Sequence, residues 1–252
     1  MGKDRVLSVD IGNNRIHFGV VEKRQVLSTL NTYLSGLEKK EREIITRWLK
    51  EKEFDSVAIS SVVPETTSKL ESLLERINFQ GDVFHLTRET SPIPLNYEGT
   101  LGPDRIANAV AGFYLFEKPA CIIDFGTAIT IDRVEEDGFA GGVILPGMEL
   151  QMRSLEEKTA LIKDVRWKKG GVTGKNTEEA ISSGVFYSIV GGIKEILKRM
   201  DEERGKTRSV VLTGGYANLF HPYTGGIVVE GLTLIGLSIA YEIHNSLRER
   251  ND

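Results

Sequence analysis

The feature that most constrains the fold is a short pattern that occurs twice. A β-rich segment delivers an aspartate to a glycine-containing turn, and a second β-rich segment follows. The first copy spans Arg5–Val21 with its turn at Asp10-Ile-Gly-Asn-Asn14, and the second spans Cys121–Asp132 with its turn at Asp124-Phe-Gly-Thr127. Each copy predicts a β-hairpin. Because the second copy begins near the middle of the 252-residue chain, we expect an internal duplication.

The segments that follow each hairpin alternate between strand and helix patterns. After the first copy, the patterns predict a helix, strand, helix, strand and helix at 37–52, 54–61, 64–77, 82–86 and 103–116. After the second, they predict a strand at 139–147, helices at 149–159 and 176–200, a strand at 209–215 and a helix from 231 onward. This alternation is typical of α/β proteins. We therefore predict an α/β fold with two domains in tandem, at 1–117 and 118–252, although no linker marks the boundary.

Composition narrows the class of protein. A hydrophobic fraction of 40% and a charged fraction of 27% are typical of an ordered globular chain. The net charge of −4 and the scattered aromatic residues favour neither nucleic acid nor a membrane as a partner. The lone Cys121 lies in an apolar run and is expected in the core. No signal region and no apolar stretch of about 20 residues is evident, so we expect a cytoplasmic protein.

The two aspartate turns are candidates for phosphate binding. Backbone N–H groups in such turns bind oxyanions, and a nearby carboxylate can hold Mg²⁺ directly or through a bound water. A lone Asp-x-Gly turn is equally typical of an ordinary hairpin. Two such hairpins, at Asp10 and Asp124, favour the phosphate interpretation, because two facing turns could bind a triphosphate from both sides.

A second candidate site lies at Gly102-Pro-Asp-Arg105, where a helix is predicted to begin. An Asp-Arg start is common in plain helices, since Asp104 suits the positive end of the helix dipole. Alternatively, Arg105 offers a cationic fork for a substrate carboxylate, and Asp104 could accept a hydroxyl proton during phosphoryl transfer. Leu212-Thr-Gly-Gly215 is either a strand-to-helix turn or a place where a ring or a ribose could approach the backbone closely. Close packing of the chain better explains Gly141-Gly142 and Pro146-Gly147.

These residues and their order resemble the type III pantothenate kinases, members of the acetate and sugar kinase, heat-shock protein and actin superfamily. The matching segments occur in order through most of the chain: Asp10-Ile-Gly-Asn13, Ser60-Ser-Val-Val-Pro64, Gly102-Pro-Asp-Arg-Ile-Ala-Asn108, Asp124-Phe-Gly-Thr-Ala128, Gly141-Gly142, Pro146-Gly147, Gly174-Lys-Asn-Thr177, Leu212-Thr-Gly-Gly215 and Glu230-Gly-Leu232. The resemblance implies two ribonuclease H-like (actin-like ATPase) domains and a homodimer with active sites near the subunit interface. It also implies transfer of the ATP γ-phosphate to the pantothenate hydroxyl, the first step toward coenzyme A.

The resemblance also implies roles for particular residues. ATP and Mg²⁺ would be bound by Asp10, Ile11, Gly12, Asn13, Asn14, Arg15, Ile16 and His17, with Thr127 contacting ATP. Asp124 would hold a monovalent cation, K⁺ or NH₄⁺. Pantothenate would be bound by Gly102, Pro103, Asp104, Arg105 and Thr177, with Tyr97 lining its pocket. Asp104 would be the catalytic proton acceptor.

Three positions depart from the pattern of the family. Asn14 stands where Thr is usual, Pro103 replaces a small residue and so removes a backbone donor, and Thr159-Ala-Leu-Ile162 lacks a usual Leu-Pro. None of these changes removes a charged group of the predicted site. Two other functions stay open: a non-catalytic regulatory protein on the same scaffold, and a kinase of another small hydroxy acid.

Overall fold

The computed structural model describes residues 5–37, 40–160, 162–163 and 165–250. The first of its two sheets has five strands in the order β3-β2-β1-β4-β5. These strands are β1 (Arg5–Ile11), β2 (Arg15–Glu22), β3 (Gln25–Tyr33), β4 (Ser56–Ser61) and β5 (Asp82–His85). Strands β1, β2 and β3 form antiparallel pairs, whereas β4 lies parallel to both β1 and β5. The predicted first hairpin is therefore confirmed.

The second sheet repeats this arrangement. Its strands are β6 (Ala120–Phe125), β7 (Ala128–Glu135), β8 (Gly138–Pro146), β9 (Ser209–Thr213) and β10 (Ile227–Val228), in the order β10-β9-β6-β7-β8. When this sheet is followed from β8, its strand order corresponds one for one to that of the first sheet. Only two residues join the neighbouring strands β6 and β7, a length that an antiparallel hairpin allows and a parallel crossover does not. The predicted duplication thus extends to complete sheets.

The helices occur at corresponding places after each three-stranded segment. A 3₁₀ helix at Leu34–Leu37 precedes α1 (Lys40–Glu51), and the remaining helices are α2 (Pro64–Arg76), α3 (Pro103–Leu115), α4 (Met148–Lys158), α5 (Thr177–Arg204), α6 (Ala217–Thr224) and α7 (Leu232–Arg248). The predicted start of α1 was early, and residues 38–39 lie outside the described part of the chain. Among the described residues, four elements were not predicted: the 3₁₀ helix, β3, whose residues are all exposed or half-buried, α6, which contains Pro222, and the very short β10.

By its internal contacts the chain divides into two compact units. The first unit contains 1–116, 134–141 and 231–252, and the second contains 117–133 and 142–230. These units group residues by contact, whereas the predicted domains at 1–117 and 118–252 group them by repeated fold. The tandem boundary therefore stays a prediction.

The core of the first unit forms on both faces of its sheet. Apolar side chains of β1, β2 and β4 pack with those of α1 and α2. Helix α7 packs against α3 so closely that a Cβ on Gly236 would lie 1.9 Å from the Ala107 carbonyl oxygen. Beside this crossing, the Thr233 hydroxyl donates a 2.9 Å hydrogen bond to Asn108 Oδ1. This crossing fixes α3, which carries the predicted Asp104 and Arg105.

The core of the second unit is aromatic. Phe220 of α6 stacks on Phe125 and on Phe186, with ring centroids 4.9 and 5.1 Å apart. Cys121 is fully buried, as predicted, and its burial raises the pKa of the thiol.

Helix α5 is long and apolar enough to cross a membrane, but one such helix is weak evidence, because core helices of soluble proteins pass the same test. One face of α5 is buried in the core of the second unit, at Ser182, Val185, Phe186, Ile189, Val190 and Ile193. We therefore assign α5 to the core.

Both ends of α5 are anchored by side chains. At the start, Asn176 Oδ1 accepts a 2.9 Å hydrogen bond from the Glu179 N–H, as the predicted cap requires. At the end, the fully buried Arg133 guanidinium donates to the backbone oxygens of Met200, Arg204 and Gly205. Arg133 thereby satisfies carbonyls that a helix end leaves without intrahelical partners.

Candidate functional site

The Asp10 turn is held by a hydroxyl from the neighbouring strand. Asp10 lies opposite Ser60 in the β1–β4 register, and the Ser60 hydroxyl donates a 2.9 Å hydrogen bond to Asp10 Oδ1. The Gly12 N–H donates to the Arg15 carbonyl oxygen at 3.0 Å and closes the turn. Asn13, Asn14 and Arg15 are exposed at its tip. The carboxylate is therefore fixed at a strand end beside an accessible backbone segment.

The other predicted residues of this turn differ in what they can contribute. The side chains of Ile11 and Ile16 are fully buried in the core, so only their backbone could contact a phosphate. His17 is half-buried and shares a 3.0 Å hydrogen bond between its Nδ1 and Asn31 Oδ1. Burial lowers the pKa of His17, and the nearby Arg15 adds to this effect. The lowered pKa favours the neutral form of the His17 imidazole.

Glycines pack closely at the second turn. The Gly147 N–H donates a 2.9 Å hydrogen bond to the Thr127 carbonyl oxygen. A Cβ on Gly147 would lie 2.4 Å from the carbonyl oxygens of Gly126 and Thr127. The close-packing interpretation of Pro146-Gly147 is therefore confirmed.

Gly141 is explained by its backbone conformation rather than by close packing. Its φ is +108°, and a Cβ on this residue would meet nothing within 4 Å.

The Leu212-Thr-Gly-Gly215 segment also reaches the second turn. Strand β9 places Thr213 opposite Asp124, and Gly214 follows with a φ of +88°. A Cβ on Gly214 would lie 2.5 Å from Asp124 Oδ1 and 2.7 Å from the nitrogen and oxygen of Phe125. Three glycine turns that are distant in the sequence thus come together around the Asp124 carboxylate.

The Gly102–Arg105 segment begins α3 as predicted. Gly102 is the residue before the helix, and Pro103 occupies its first turn, where a missing backbone donor does no harm. Asp104 Oδ1 accepts a 2.8 Å hydrogen bond from the Arg105 N–H. A Cβ on Gly102 would lie 2.4 Å from the same oxygen, so the glycine leaves room for the carboxylate over the helix start.

Arg105 and Tyr97 were predicted to share a substrate pocket, and they are in contact. The central guanidinium carbon of Arg105 lies 5.4 Å from the Tyr97 ring centroid and 5.5 Å from that of Phe139. The Arg105 side chain is almost wholly buried. The Arg88 guanidinium donates to the carbonyl oxygens of Tyr97 and Gly99 at 2.6 and 3.0 Å, which fixes the loop that carries Tyr97.

Thr177 is the first residue of α5 and is exposed. It lies in an open cleft of about 620 Å³ that is lined by α4 and the first half of α5, including Gln151, Gly174, Asn176 and Ser188. A Cβ on Gly174 would lie 2.3 Å from the Ala180 backbone nitrogen, so this glycine allows the loop to approach the helix start.

A smaller cavity of about 210 Å³ lies beside α6, the helix that follows Gly215. Its walls include Trp167, Phe186 and Tyr223, with Asn218 and Lys168 at the polar positions. Flat aromatic walls with a few polar groups are typical of sites for planar ligands. No local sequence pattern predicted this cavity, because its aromatic residues are far apart in the chain.

The structure adds Ser60 and Phe139 to the predicted residues. Ser60 lay in a segment that matches the family, but its role depends on the parallel register of β1 and β4, which no local pattern reveals. Phe139 was predicted only as the start of a strand. Within the described ranges, no three His, Cys, Asp or Glu side chains come together as metal ligands.

Of the three departures from the pattern of the family, Pro103 is accommodated at the helix start. The Asn14 carbonyl oxygen accepts a 3.2 Å hydrogen bond from the Leu34 N–H. Leu161, within the segment that lacks Leu-Pro, lies outside the described residues.

Comparison with known sequences identifies relatives across nearly the whole chain. Residues 6–199 match a family model described as type III pantothenate kinase. A type III pantothenate kinase from Roseobacter denitrificans is 33% identical over 253 residues, covering 94% of this chain and 97% of the relative. One from Zymomonas mobilis is 32% identical over 258 residues, covering 94% of this chain and 92% of the relative.

Solved structures share the fold at lower identity. A Baf family structure from Campylobacter jejuni has a TM-score of 0.60 at 21% identity and covers 96% of this chain and 99% of its own. A ROK family glucokinase from Streptomyces griseus has a TM-score of 0.52 at 11% identity, with coverage of 96% and 99%. At such identities the likeness concerns the fold alone. It confirms the prediction of an α/β fold with two ribonuclease H-like (actin-like ATPase) domains.

Proposed function

The chain belongs to the type III pantothenate kinase family, and from this premise we propose that it transfers the γ-phosphate of ATP to the hydroxyl of pantothenate. This reaction is the first step of coenzyme A biosynthesis. The observation that carries the proposal is the Asp104–Arg105 pair at the start of α3, with Tyr97 against Arg105. A hydroxy acid acceptor needs a carboxylate that receives its hydroxyl proton and a fixed cation that binds its own carboxylate.

On the acceptor side, Arg105 pairs with the pantothenate carboxylate, because a guanidinium matches a carboxylate with two parallel hydrogen bonds. Tyr97, Gly102, Pro103 and Thr177 complete the pantothenate contacts. Asp104 orients the acceptor hydroxyl and receives its proton. In a loose phosphoryl-transfer transition state the proton leaves late, so the position of Asp104 matters more than its basicity.

On the nucleotide side, the segment from Asp10 to His17 contacts the ATP phosphates, and Thr127 also contacts ATP. The Gly12 N–H donates to the Arg15 carbonyl oxygen inside the turn, so the backbone of the exposed Asn13 is the better source of a phosphate donor. Asp10 would hold Mg²⁺ directly or through a water, and the Ser60 hydroxyl orients the Asp10 carboxylate. When bound there, the ion would supply positive charge beside the transferred phosphate.

Asp124 is assigned a monovalent cation, K⁺ or NH₄⁺. The support is chemical: the Asp124 carboxylate lies against backbone near Gly214 and Phe125, in a turn rich in carbonyl oxygens. Hard cations prefer oxygen ligands of this kind. The cation would offset the negative charge of Asp124 near the nucleotide.

The aromatic cavity beside α6 is assigned to the base of ATP. Tyr223 and Trp167 offer ring faces, and Asn218 offers an amide for the edge of a base. Tyr223→Ala should raise the KM for ATP without changing the KM for pantothenate. Equal KM values for ATP in the variant and the wild type would remove this assignment.

The family also supports a cytoplasmic homodimer, with no nucleic acid or membrane as a partner. The net charge of −4 agrees with this assignment. Size-exclusion chromatography coupled to light scattering tests it, with an expected mass near twice 28.0 kDa. A monomer at the concentration of the activity assay would contradict the dimer.

The test of the function is formation of a phosphorylated product from ATP and pantothenate with Mg²⁺, in K⁺, NH₄⁺ or Na⁺. We expect turnover with K⁺ or NH₄⁺ and little with Na⁺. Inactivity with every cation would favour the non-catalytic regulatory alternative. Faster turnover of another small hydroxy acid, in a panel that shares the carboxylate, would favour the other kinase alternative.

A further inference from the structure

Phe139 reaches the predicted acceptor site from a hairpin that no site motif includes. It is fully buried, and its ring lies 5.5 Å from the central guanidinium carbon of Arg105. The Tyr97 ring contacts the same guanidinium and meets the Phe139 ring edge to face, with centroids 5.6 Å apart. Arg105 therefore contacts two aromatic rings that also contact each other.

Backbone contacts fix the position of Phe139. Its N–H donates a 3.0 Å hydrogen bond to the Pro94 carbonyl oxygen, and its own carbonyl accepts one of 3.0 Å from the Asn96 N–H. The preceding Gly138 has a φ of +116°, and a Cβ there would lie 2.2 Å from the Pro94 carbonyl oxygen. This close approach ties the hairpin to the loop that carries Tyr97.

We propose that Phe139 is a positioning residue that holds the Arg105 guanidinium for the carboxylate of the acceptor. The inference rests on the proposed function, because it assumes that Arg105 binds that carboxylate. An arginine side chain loses much rotational freedom when it is fixed in one geometry. Contact with an aromatic face stabilises the cation and limits its movement, so part of that entropy is lost before the substrate arrives.

A positioning role and a packing role have different kinetic consequences. If Phe139 acts through Arg105, its loss weakens binding of acceptors that carry a carboxylate and leaves neutral acceptors unaffected. If Phe139 only fills the core, its loss affects stability and all acceptors alike. The two roles therefore separate when a charged and a neutral acceptor are compared.

The experiment uses Phe139→Leu in the full chain, with pantothenate and with pantothenyl alcohol, in which a hydroxymethyl group replaces the carboxylate. We expect the KM for pantothenate to rise about three- to tenfold, the range that a contact between a cation and an aromatic face supports. The kcat and the KM for ATP should change little. The KM of the alcohol, or its inhibition constant if it is not phosphorylated, should be unchanged.

The matched control is Phe84→Leu. Phe84 is a buried phenylalanine of the same unit, but its ring contacts Tyr241 and His244 rather than Arg105. The Phe84→Leu variant should lose about as much stability as Phe139→Leu and keep the wild-type KM for pantothenate.

A second test replaces Phe139 with fluorinated phenylalanine, which keeps the shape of the ring while weakening its negative face. The KM for pantothenate should rise stepwise with the number of fluorines.

Equal losses for pantothenate and the alcohol, or a KM unaffected by fluorination, would overturn the inference. The fluorinated series also decides the question if Phe139→Leu does not fold. In either case the wild-type enzyme would still phosphorylate pantothenate. Failure of the wild type to do so would instead overturn the proposed function, and this inference with it.

Discussion

The two aspartate turns occupy corresponding places in the two sheets, yet glycine is packed far more tightly at the second turn than at the first. In the first, the Ser60 hydroxyl on the neighbouring parallel strand donates to the Asp10 carboxylate. In the second, the neighbouring strand presents Thr213 and then Gly214, whose backbone packs against the Asp124 carboxylate. The same topology thus leaves room for a Cβ at the glycine of the first turn and none at Gly147 and Gly214 of the second.

This difference predicts how each turn responds to substitution. A turn fixed by a side-chain hydrogen bond should tolerate an added methyl group and be sensitive to loss of the hydroxyl. A turn with closely packed glycines should be sensitive to an added methyl group. The aspartates are shared, and the structure around them determines which neighbouring residues are critical.

The largest expected effect is that of Gly214→Ala. The new Cβ would meet Asp124 Oδ1 at 2.5 Å, in a backbone conformation with a φ of +88°. We expect the free energy of unfolding, measured in urea, to fall by about 3 kcal/mol. Gly215→Ala is the matched control, because a Cβ there would meet nothing within 4 Å. Equal losses in the two variants would contradict the packing account.

The next effect compares the same substitution in the two turns. A Cβ on Gly147 would lie 2.4 Å from two carbonyl oxygens, whereas one on Gly12 would lie 3.6 Å from the Arg15 carbonyl oxygen. Gly147→Ala should lower the free energy of unfolding by about 2 kcal/mol. Gly12→Ala should change it by less than about 1 kcal/mol in either direction. A larger loss for Gly12→Ala would reverse the comparison.

Ser60→Ala tests the hydroxyl in the first turn. It removes the donor to the Asp10 carboxylate, and we expect a loss of about 1.5 kcal/mol in stability, since hydrogen bonds to charged groups lie in this range. The concentration of Mg²⁺ needed for half-maximal turnover should also rise. The control is Ser8→Ala in β1, the strand that carries Asp10, because the buried Ser8 hydroxyl has no hydrogen-bond partner among the described residues. If both variants behave alike, the Ser60 contact is not what holds the turn.

The smallest effect concerns His17 and pH. Burial lowers the pKa of His17 in the folded state, so the unfolded state binds a proton first as the pH falls below about 6.5. Stability should therefore decrease from pH 6.5 down to the lowered pKa and change no further below it on account of this group. In His17→Gln that part of the slope should be absent from urea titrations. An unchanged slope would show that other groups cause it.

The sequence predicted the parts of the site that are local and not those that depend on register. Asp10, Asp104 and Arg105 could be proposed as site residues because strand ends, glycine turns and helix starts have short signatures. The pairing of Ser60 with Asp10 and of Gly214 with Asp124 depends on which parallel strands are neighbours, and the contact of Phe139 with Arg105 depends on a distant hairpin. Strand β3 was not predicted because its exposed residues give no apolar pattern. Helix α6 was not predicted because it contains Pro222, and a proline usually ends a helix.

The central claim, that Asp104 serves phosphoryl transfer to pantothenate, is tested most directly by the rate of product formation in Asp104→Asn. The asparagine oxygen can still accept the Arg105 N–H that Asp104 Oδ1 accepts at 2.8 Å, so the helix start should keep its structure while the proton acceptor is lost. We predict a wild type that phosphorylates pantothenate and a folded variant with kcat lower by about 10²- to 10⁴-fold. A folded variant with the wild-type kcat would contradict the account.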